Sequence, residues 1–265
     1  MMRSMILGFV LGCGLLACTS EETGSDPPAE TAPAEGVDGL IGALGGADRA
    51  ALSTVLADDA VYVDAAGRAE GLDAIVEHLS AGEGPAWARD AAIDEHHAVA
   101  RTRVRRGAAG AAPELLFALR EDAASDRYRL IALLPAPPAE GTDAIITKYA
   151  DAWNETDPAA RAALLEDAWA DDGHYVDPTA EVRGREALSA VIDGFQASLP
   201  GAVIVATSGA LELHGLVHFT WAVVDASGGT LSEGLDVGQR AADGRLELIS
   251  GFFGPLGPLE AAAGD

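Results

Sequence analysis

The chain is short of aromatic residues, of positive charge and of cysteine. Phe, Trp and Tyr together make up 5% of 265 residues, so its cores must lean on Ala, Leu, Val and Ile. Lys and Arg number 17 against 42 Asp and Glu, giving a formal charge of −25. A surface of that sign repels phosphate backbones and anionic headgroups, which argues against nucleic acid as a partner. The two cysteines, Cys13 and Cys18, both precede residue 19, so no disulfide can staple the rest of the chain. The apolar run Met5–Leu16 is too short to cross a bilayer as a helix. No P-loop, GxGxxG, GxSxG or HExxH occurs, so nucleotide binding, serine hydrolysis and a zinc site get no support, and no cofactor is implied.

The N-terminus is readable. Arg3 precedes the apolar run, which ends in "LLAC" at 15–18, and the polar, Pro-rich "TSEETGSDPPAETAPAEG" follows. This resembles the lipobox of bacterial lipoproteins, with Leu15 and Ala17 at favoured positions and Leu16 a less typical middle residue. The resemblance implies a signal peptide over 1–17, lipidation of Cys18 and a membrane partner through that anchor. Residues 18–36 then read as a flexible linker. The implied location is the cell envelope. In a Gram-negative envelope, Thr19 after Cys18 would suit the outer membrane.

One pattern is written twice. Leu56–Ile75 and Trp169–Leu188 align without a gap at an offset of 113 and agree at eight of twenty positions, including Ala-Asp-Asp and Tyr-Val-Asp. A fixed-offset repeat in a chain of this length argues for two copies of one fold. The Pro-rich break "LPAPPAEGTD" divides them into domains at 37–136 and 142–258, with a linker at 137–141 and a tail at 259–265.

The second copy is the clearer. Thr142 can cap a helix with Ile145, Ile146, Tyr149 and Trp153 on one face. Asp157-Pro158 opens a second helix, running to about Trp169. "HYVD" is a short strand, and Leu188, Val191, Ile192, Phe195 and Leu199 mark a third helix. Period-two alternation then predicts strands near 203–208, 211–224, 230–240 and 245–253. This is an α+β fold, helices packed on a curved antiparallel sheet. The first copy repeats the order with losses: "VDGLIGALGG" is glycine-rich and poor as a helix, and "RTRVRR" at 101–106 reads as a solvated strand edge.

Residues 142–256 carry, in order, "ITKYADAWNETD", "WADDGHYVDP", "GREAL", "SLPG", "HFTW", "GLDV" and "DGRLELISGFFGP". They resemble the SnoaL-like branch of the NTF2-like superfamily, and residues 37–136 look like a degenerate copy. The resemblance implies two cone-shaped α+β domains, each with a sheet closing round a pocket, in a group that includes ketosteroid isomerases, polyketide cyclases and proteins without chemistry.

Three polar residues stand where a core should be apolar. Tyr149 lies on the apolar face of the first helix, and Asp177 ends a strand before Pro178. Asp236 has Gly234 and Gly238 two residues away on its own side, which suggests open space in front of it. All three match the isomerase pattern of a helix tyrosine, a base before proline and an acid on the third strand. That pattern implies proton abstraction beside a carbonyl by Asp177, with Tyr149 and a protonated Asp236 on the oxyanion, as in the handful of well-known isomerase sites. Against it, Asp-Pro is ordinary turn chemistry and a helix tyrosine is often core.

His214 and His218 fall on one face of the expected strand, ~13 Å apart at about 3.3 Å per residue, too far to share a metal. With Trp153, either could line the pocket, while Val217, Phe219 and Trp221 read as core on the opposite face. In the first copy Asp64 matches Asp177, but Val37 and Ala118 fall near the positions of Tyr149 and Asp236, so no such oxyanion site fits there. Three readings of the second domain stay open: a binder of a small hydrophobic molecule, an enzyme of proton transfer, and a structural or assembly module. Homodimerisation stays open as well.

Overall fold

The computed structural model describes residues 33–81, 87–106, 112–138 and 143–257. The expected signal peptide, Cys18, most of the 18–36 linker, residues 139–141 and the tail at 259–265 lie outside the described residues. Ten elements appear in one order and then appear again. The first set is α1 (Pro33–Gly46), α2 (Arg49–Val55), β1 (Leu56–Asp64), β2 (Gly67–Glu70), α3 (Leu72–Ala81), β3 (Trp87–Arg89), β4 (Asp94–His96), β5 (Val99–Arg106), β6 (Glu114–Arg120) and β7 (Tyr128–Leu134). The second is α4 (Ala144–Asn154), α5 (Pro158–Ala168), β8 (Trp169–Asp177), β9 (Ala180–Arg183), α6 (Arg185–Ser198), β10 (Val203–Ala206), β11 (Leu211–Leu213), β12 (Leu216–Val224), β13 (Thr230–Arg240) and β14 (Leu246–Phe253).

Each set builds a seven-stranded sheet. The orders are β2-β1-β7-β6-β5-β3 with β4 on β5, and β9-β8-β14-β13-β12-β10 with β11 on β12. The pairs β1/β7 and β8/β14 are parallel and the rest antiparallel. Two α+β domains therefore share one topology, and the register fixes which residues correspond. Val63 pairs with Ala132 as Val176 pairs with Ser250, which puts Asp64 on Asp177. Leu116 pairs with Leu133 as Asp236 pairs with Gly251, so the counterpart of Asp236 is Leu116, not Ala118. Asp48 and Asp157 each cap the next helix. Counting back from those caps puts Leu40, not Val37, on Tyr149, because the second helix has 7 residues in the first domain and 11 in the second.

Other expectations change as well. The glycine-rich segment is a full helix, α1, beginning inside the expected linker. Gly39 and Gly42 face open space, while Val37, Leu40, Ile41 and Leu44 are buried. Burying four large side chains outweighs about 1 kcal/mol of lost propensity per glycine. Asp143, not Thr142, caps α4, accepting from the backbone N–H groups of Ile145 and Ile146 at 3.0 and 3.1 Å. The expected strand at 211–224 is a hairpin: Leu213 pairs with Leu216, and His214 and Gly215 form a two-residue turn with φ of 50° and 86°.

Each domain has its own core between helices and sheet, and a third apolar cluster joins the two. Val63, Val99, Phe117 and Leu130 of the first sheet pack with Val176, Leu216, Val237 and Leu248 of the second. These are corresponding residues, so the domains meet through the same sheet face in each, as two copies do across a two-fold axis. Arg101 corrects the solvated-edge reading of 101–106. It is buried, donates from Nη2 to the Gly254 carbonyl at 2.8 Å, pairs with Asp94 and lies 4.7 Å over the Phe252 ring. Among the described residues no helix is long and apolar enough to cross a membrane.

Trp169, where the first domain has Leu56, shows how the second domain is fitted together. Its indole lies against Gly173, where a Cβ would sit 2.5 Å from Nε1. The first domain, with the smaller Leu56, carries Ala60 at that place. Gly173→Ala is therefore expected to destabilise the protein by about 2 kcal/mol through overpacking, and Trp169→Leu in the same chain should restore part of it in chemical denaturation.

Candidate functional site

The second domain holds a cavity of ≈ 810 Å³ between α4, α6 and the inner face of its sheet. Tyr149, Asp177 and Asp236 all line it, together with Trp153. Seven of the chain's aromatic residues surround it, although the chain holds only 4 Trp, 4 Tyr and 6 Phe. Trp153 is the hub of the ring wall, edge-on to Tyr149 and Phe195 and tilted on Tyr175 at 5.5 Å.

Asp177 is buried and engaged through both oxygens. Its Oδ1 accepts from the Thr179 and Ala180 backbone N–H groups, each at 2.7 Å, and from the Thr179 hydroxyl at 2.8 Å. Its Oδ2 accepts from the Tyr175 hydroxyl at 2.6 Å. One oxygen thus holds the turn into β9 while the other faces the cavity with its tyrosine. Tyr175 lies two residues before Asp177, hence on the same side of the strand. The repeated Tyr-Val-Asp was the sequence signal for it.

Asp236 is buried on β13, and its Oδ1 accepts from the Trp221 indole N–H at 2.7 Å. Among the described residues this is the carboxyl's one hydrogen bond. The flanking glycines do not leave space in front of it, contrary to the sequence reading. Gly234 pairs with Trp221, and its missing Cβ lets the indole lie flat over the backbone and reach Asp236 diagonally; a Cβ there would also meet the Phe252 carbonyl at 2.5 Å. Gly238 is covered by Ile249 and Val217. The glycine that opens the site is Gly251, opposite Asp236, where a Cβ would lie 3.2 Å from Asp236 Oδ1 and 3.4 Å from the Asp177 Cβ.

Burial, added to by the charge of Asp177 and opposed by the Trp221 hydrogen bond, pushes Asp236 up to about 7. Burial also drives Tyr149 and Tyr175 well above the usual phenol range, reinforced by the neighbouring carboxylates. The phenols therefore stay neutral donors at any ordinary pH.

The histidines stand apart from this cavity. His214 occupies the β11–β12 turn, and His218 faces the opposite side of the sheet, buried toward the domain interface. Neither belongs to the cavity lining. The reason is the hairpin: once the strand folds back at 214–215, the two side chains no longer share a strand. Trp221, read as core, is both core and cavity wall.

The corresponding carboxylate of the first domain has a different environment. Tyr62 donates to Asp64 Oδ2 at 3.1 Å, as Tyr175 does to Asp177. Two basic side chains join it, His78 Nε2 at 3.0 Å from Oδ1 and the Arg106 guanidinium, Nη1 at 3.0 Å from Oδ2. Burial works against the charge, but the His78 contact and the Ala66 N–H hold the Asp64 carboxyl below its usual range. Leu40, Leu116 and Leu133 stand in place of Tyr149, Asp236 and Gly251, all buried. At these places the first domain carries leucines and an ion-paired carboxylate, where the second lines a cavity with carboxyl groups that have no basic partner in the lining.

The second domain is thus a helix-covered α+β sheet that encloses a ring-lined, carboxylate-bearing cavity. Residues 146–248, in the second domain, match the SnoaL-like domain family. Among solved structures, an isomerase candidate of the SnoaL-like family from Agrobacterium tumefaciens is 29% identical, covering 42% of this chain and 95% of that one with a TM-score of 0.41. An NTF2-like protein of unknown function from Exiguobacterium is 18% identical, over 44% and 99%, with a TM-score of 0.34. A SnoaL-like polyketide cyclase candidate from Jannaschia is 14% identical, over 43% and 91%, with a TM-score of 0.34. No match was found among curated proteins.

Proposed function

We propose that the second domain binds a small, mostly apolar molecule in its cavity, and that Cys18 tethers the chain to a membrane of the cell envelope. The observation that carries the binding reading is the contrast between the domains. One copy places buried leucines where the other has Tyr149, Asp236 and Gly251 around a cavity that two buried carboxyl groups line. Buried carboxyl groups are costly, so a cavity that retains them is best explained by use. The neutral dye Nile red should bind the parent protein with a fluorescence rise. Gly251→Leu, which copies the first domain's Leu133, should weaken it about tenfold or more by filling the floor. Equal binding by both proteins would end this reading.

A second reading, proton transfer beside a carbonyl, is favoured by the placement of Tyr149, Asp177 and Asp236 in one cavity. Asp177 is poorly placed as the base, since its oxygens already take four hydrogen bonds. Asp236, poised near neutral pH, is the better proton carrier. Deuterium exchange on a bound ketone, abolished by Asp236→Asn, supports this reading; no exchange at any pH from 5 to 9 removes it.

For the tether, the support is the sequence alone: a short apolar stretch that stops at a cysteine followed by a polar segment. Intact-mass analysis of membrane fractions should find a mature chain beginning at diacylated Cys18. An unmodified Cys18 or a retained Met1 refutes it.

A further inference from the structure

Resting on the ligand-binding reading, we infer that the ligand carries a cationic amine, seated against the Asp177–Asp236 floor inside the aromatic wall. Three observations meet in this inference. The cavity lining holds four aspartates, Asp143, Asp151, Asp177 and Asp236, and no Lys, Arg or His. Asp143 is spoken for by Arg240 and by its helix cap, and Asp151 is exposed on the helix surface. The two buried carboxyl groups therefore face the interior without a cation from the protein. An anionic ligand is disfavoured there, and a positive one is complementary.

Second, the wall is built of π faces. Tyr149, Trp153, Tyr175, Phe195, Phe219 and Trp221 stand round the floor. An ammonium group held over such rings gains from their quadrupoles, most of all when water is excluded. A carboxylate or phosphate gains nothing from them.

Third, the molecule itself shows what this carboxylate accepts. In the first domain Asp64 is met by Arg106 from β5 and His78 from α3. The register places Val223 where Arg106 stands and Val191 where His78 stands, and both valines line the cavity. One copy supplies the cationic partner from its own chain. The other replaces both partners with apolar side chains and opens a cavity at that point, so the positive group comes with the ligand.

The groups facing Asp236 are Asp177 and Tyr175 from β8, Tyr149 from α4 and the Trp221 indole from β12. With Asp236 pushed up to about 7, an amine that stays protonated should bind more tightly as pH rises from 6 to 8. A carbonyl ligand, which needs a proton on Asp236, should do the opposite.

The test uses three isosteric probes on the full chain by calorimetry: 1-naphthylmethylamine, 1-naphthylmethanol and 1-naphthoic acid. The amine should bind about tenfold or more tighter than the alcohol, with the acid weakest, and gain affinity between pH 6 and 8. Val223→Arg, which restores the first domain's internal cation, should erase the amine's advantage over the alcohol. Alcohol binding as tight as amine binding, or acid binding tightest, overturns the amine inference and leaves the apolar-ligand reading standing. Failure of all three probes to bind below about 1 mM overturns both.

Discussion

Asp236→Asn is expected to stabilise the protein by about 4 kcal/mol at pH 8 and by almost nothing at pH 4. The carboxyl moves from an ordinary 3.8 up to about 7 in the fold, chiefly because it is buried. Each unit is worth ~1.36 kcal/mol of difference between the two protonation states. A group whose folded value is raised favours the fold fully below about 3.8, and that contribution is lost as pH rises through about 7. Asparagine keeps the size and can still accept from the Trp221 indole, so the change isolates the charge. Urea denaturation at the two pH values reads the effect directly. An equal stability difference at pH 4 and pH 8 would show that the carboxyl is not desolvated, and the reading of the site as a costly, maintained feature would fall with it. Stabilisation by removal of a site residue is the usual sign that the residue serves function rather than folding.

His218→Leu is expected to act on the opposite side of the pH scale. Burial pushes this histidine down to about 4 from 6.5, and its side chain lies at the apolar contact between the sheets. A depressed histidine favours the fold fully above 6.5, and its contribution is lost as pH falls through about 4. At pH 4 the loss is about 3 kcal/mol, so His218→Leu should be more stable than the parent by that amount there and within about 1 kcal/mol of it at pH 8. Burial lowers His96 and His174 in the same direction, which adds to the acid sensitivity that remains. The windows of His218 and Asp236 overlap between about 4 and 6.5 with opposite slopes. Over that range these two contributions should largely cancel in the parent, so its stability should rise more steeply with pH once Asp236 is neutralised and less steeply once His218 is. Two variants with the parent's profile would refute both assignments.

The sequence by itself determined that the fold occurs twice and which corner of it recurs. Six of the eight matches between Leu56–Ile75 and Trp169–Leu188 lie in the first strand, three at its irregular start and three at its end, and the other two lie at the start of the next helix. Gly71 and Gly184 both need positive φ, at 79° and 84°. The helix faces and period-two strands of the second domain were equally legible, because amphipathic periodicity is a local property. So were Tyr149, Asp177 and Asp236, as polar residues at positions where the pattern calls for apolar ones.

Only the tertiary structure decided what surrounds them. Alignment by count gave Val37 and Ala118 as the silent counterparts, but the pairing of β6 with β7 and the shorter second helix, α2, give Leu116 and Leu40. The glycines beside Asp236 make room for Trp221, while the opening comes from Gly251 on the next strand, more than a dozen residues away. A helix of low propensity, α1, forms because its apolar face is covered by a sheet built later in the chain. His218 lies at a domain interface that no local pattern announces. These are all contacts across strands or between domains, and their partners are fixed by register and packing rather than by neighbouring residues. Whether a carboxylate is neutralised or left facing a cavity depends on side chains from β5 or β12 and α3 or α6, which the chain brings together only when it folds.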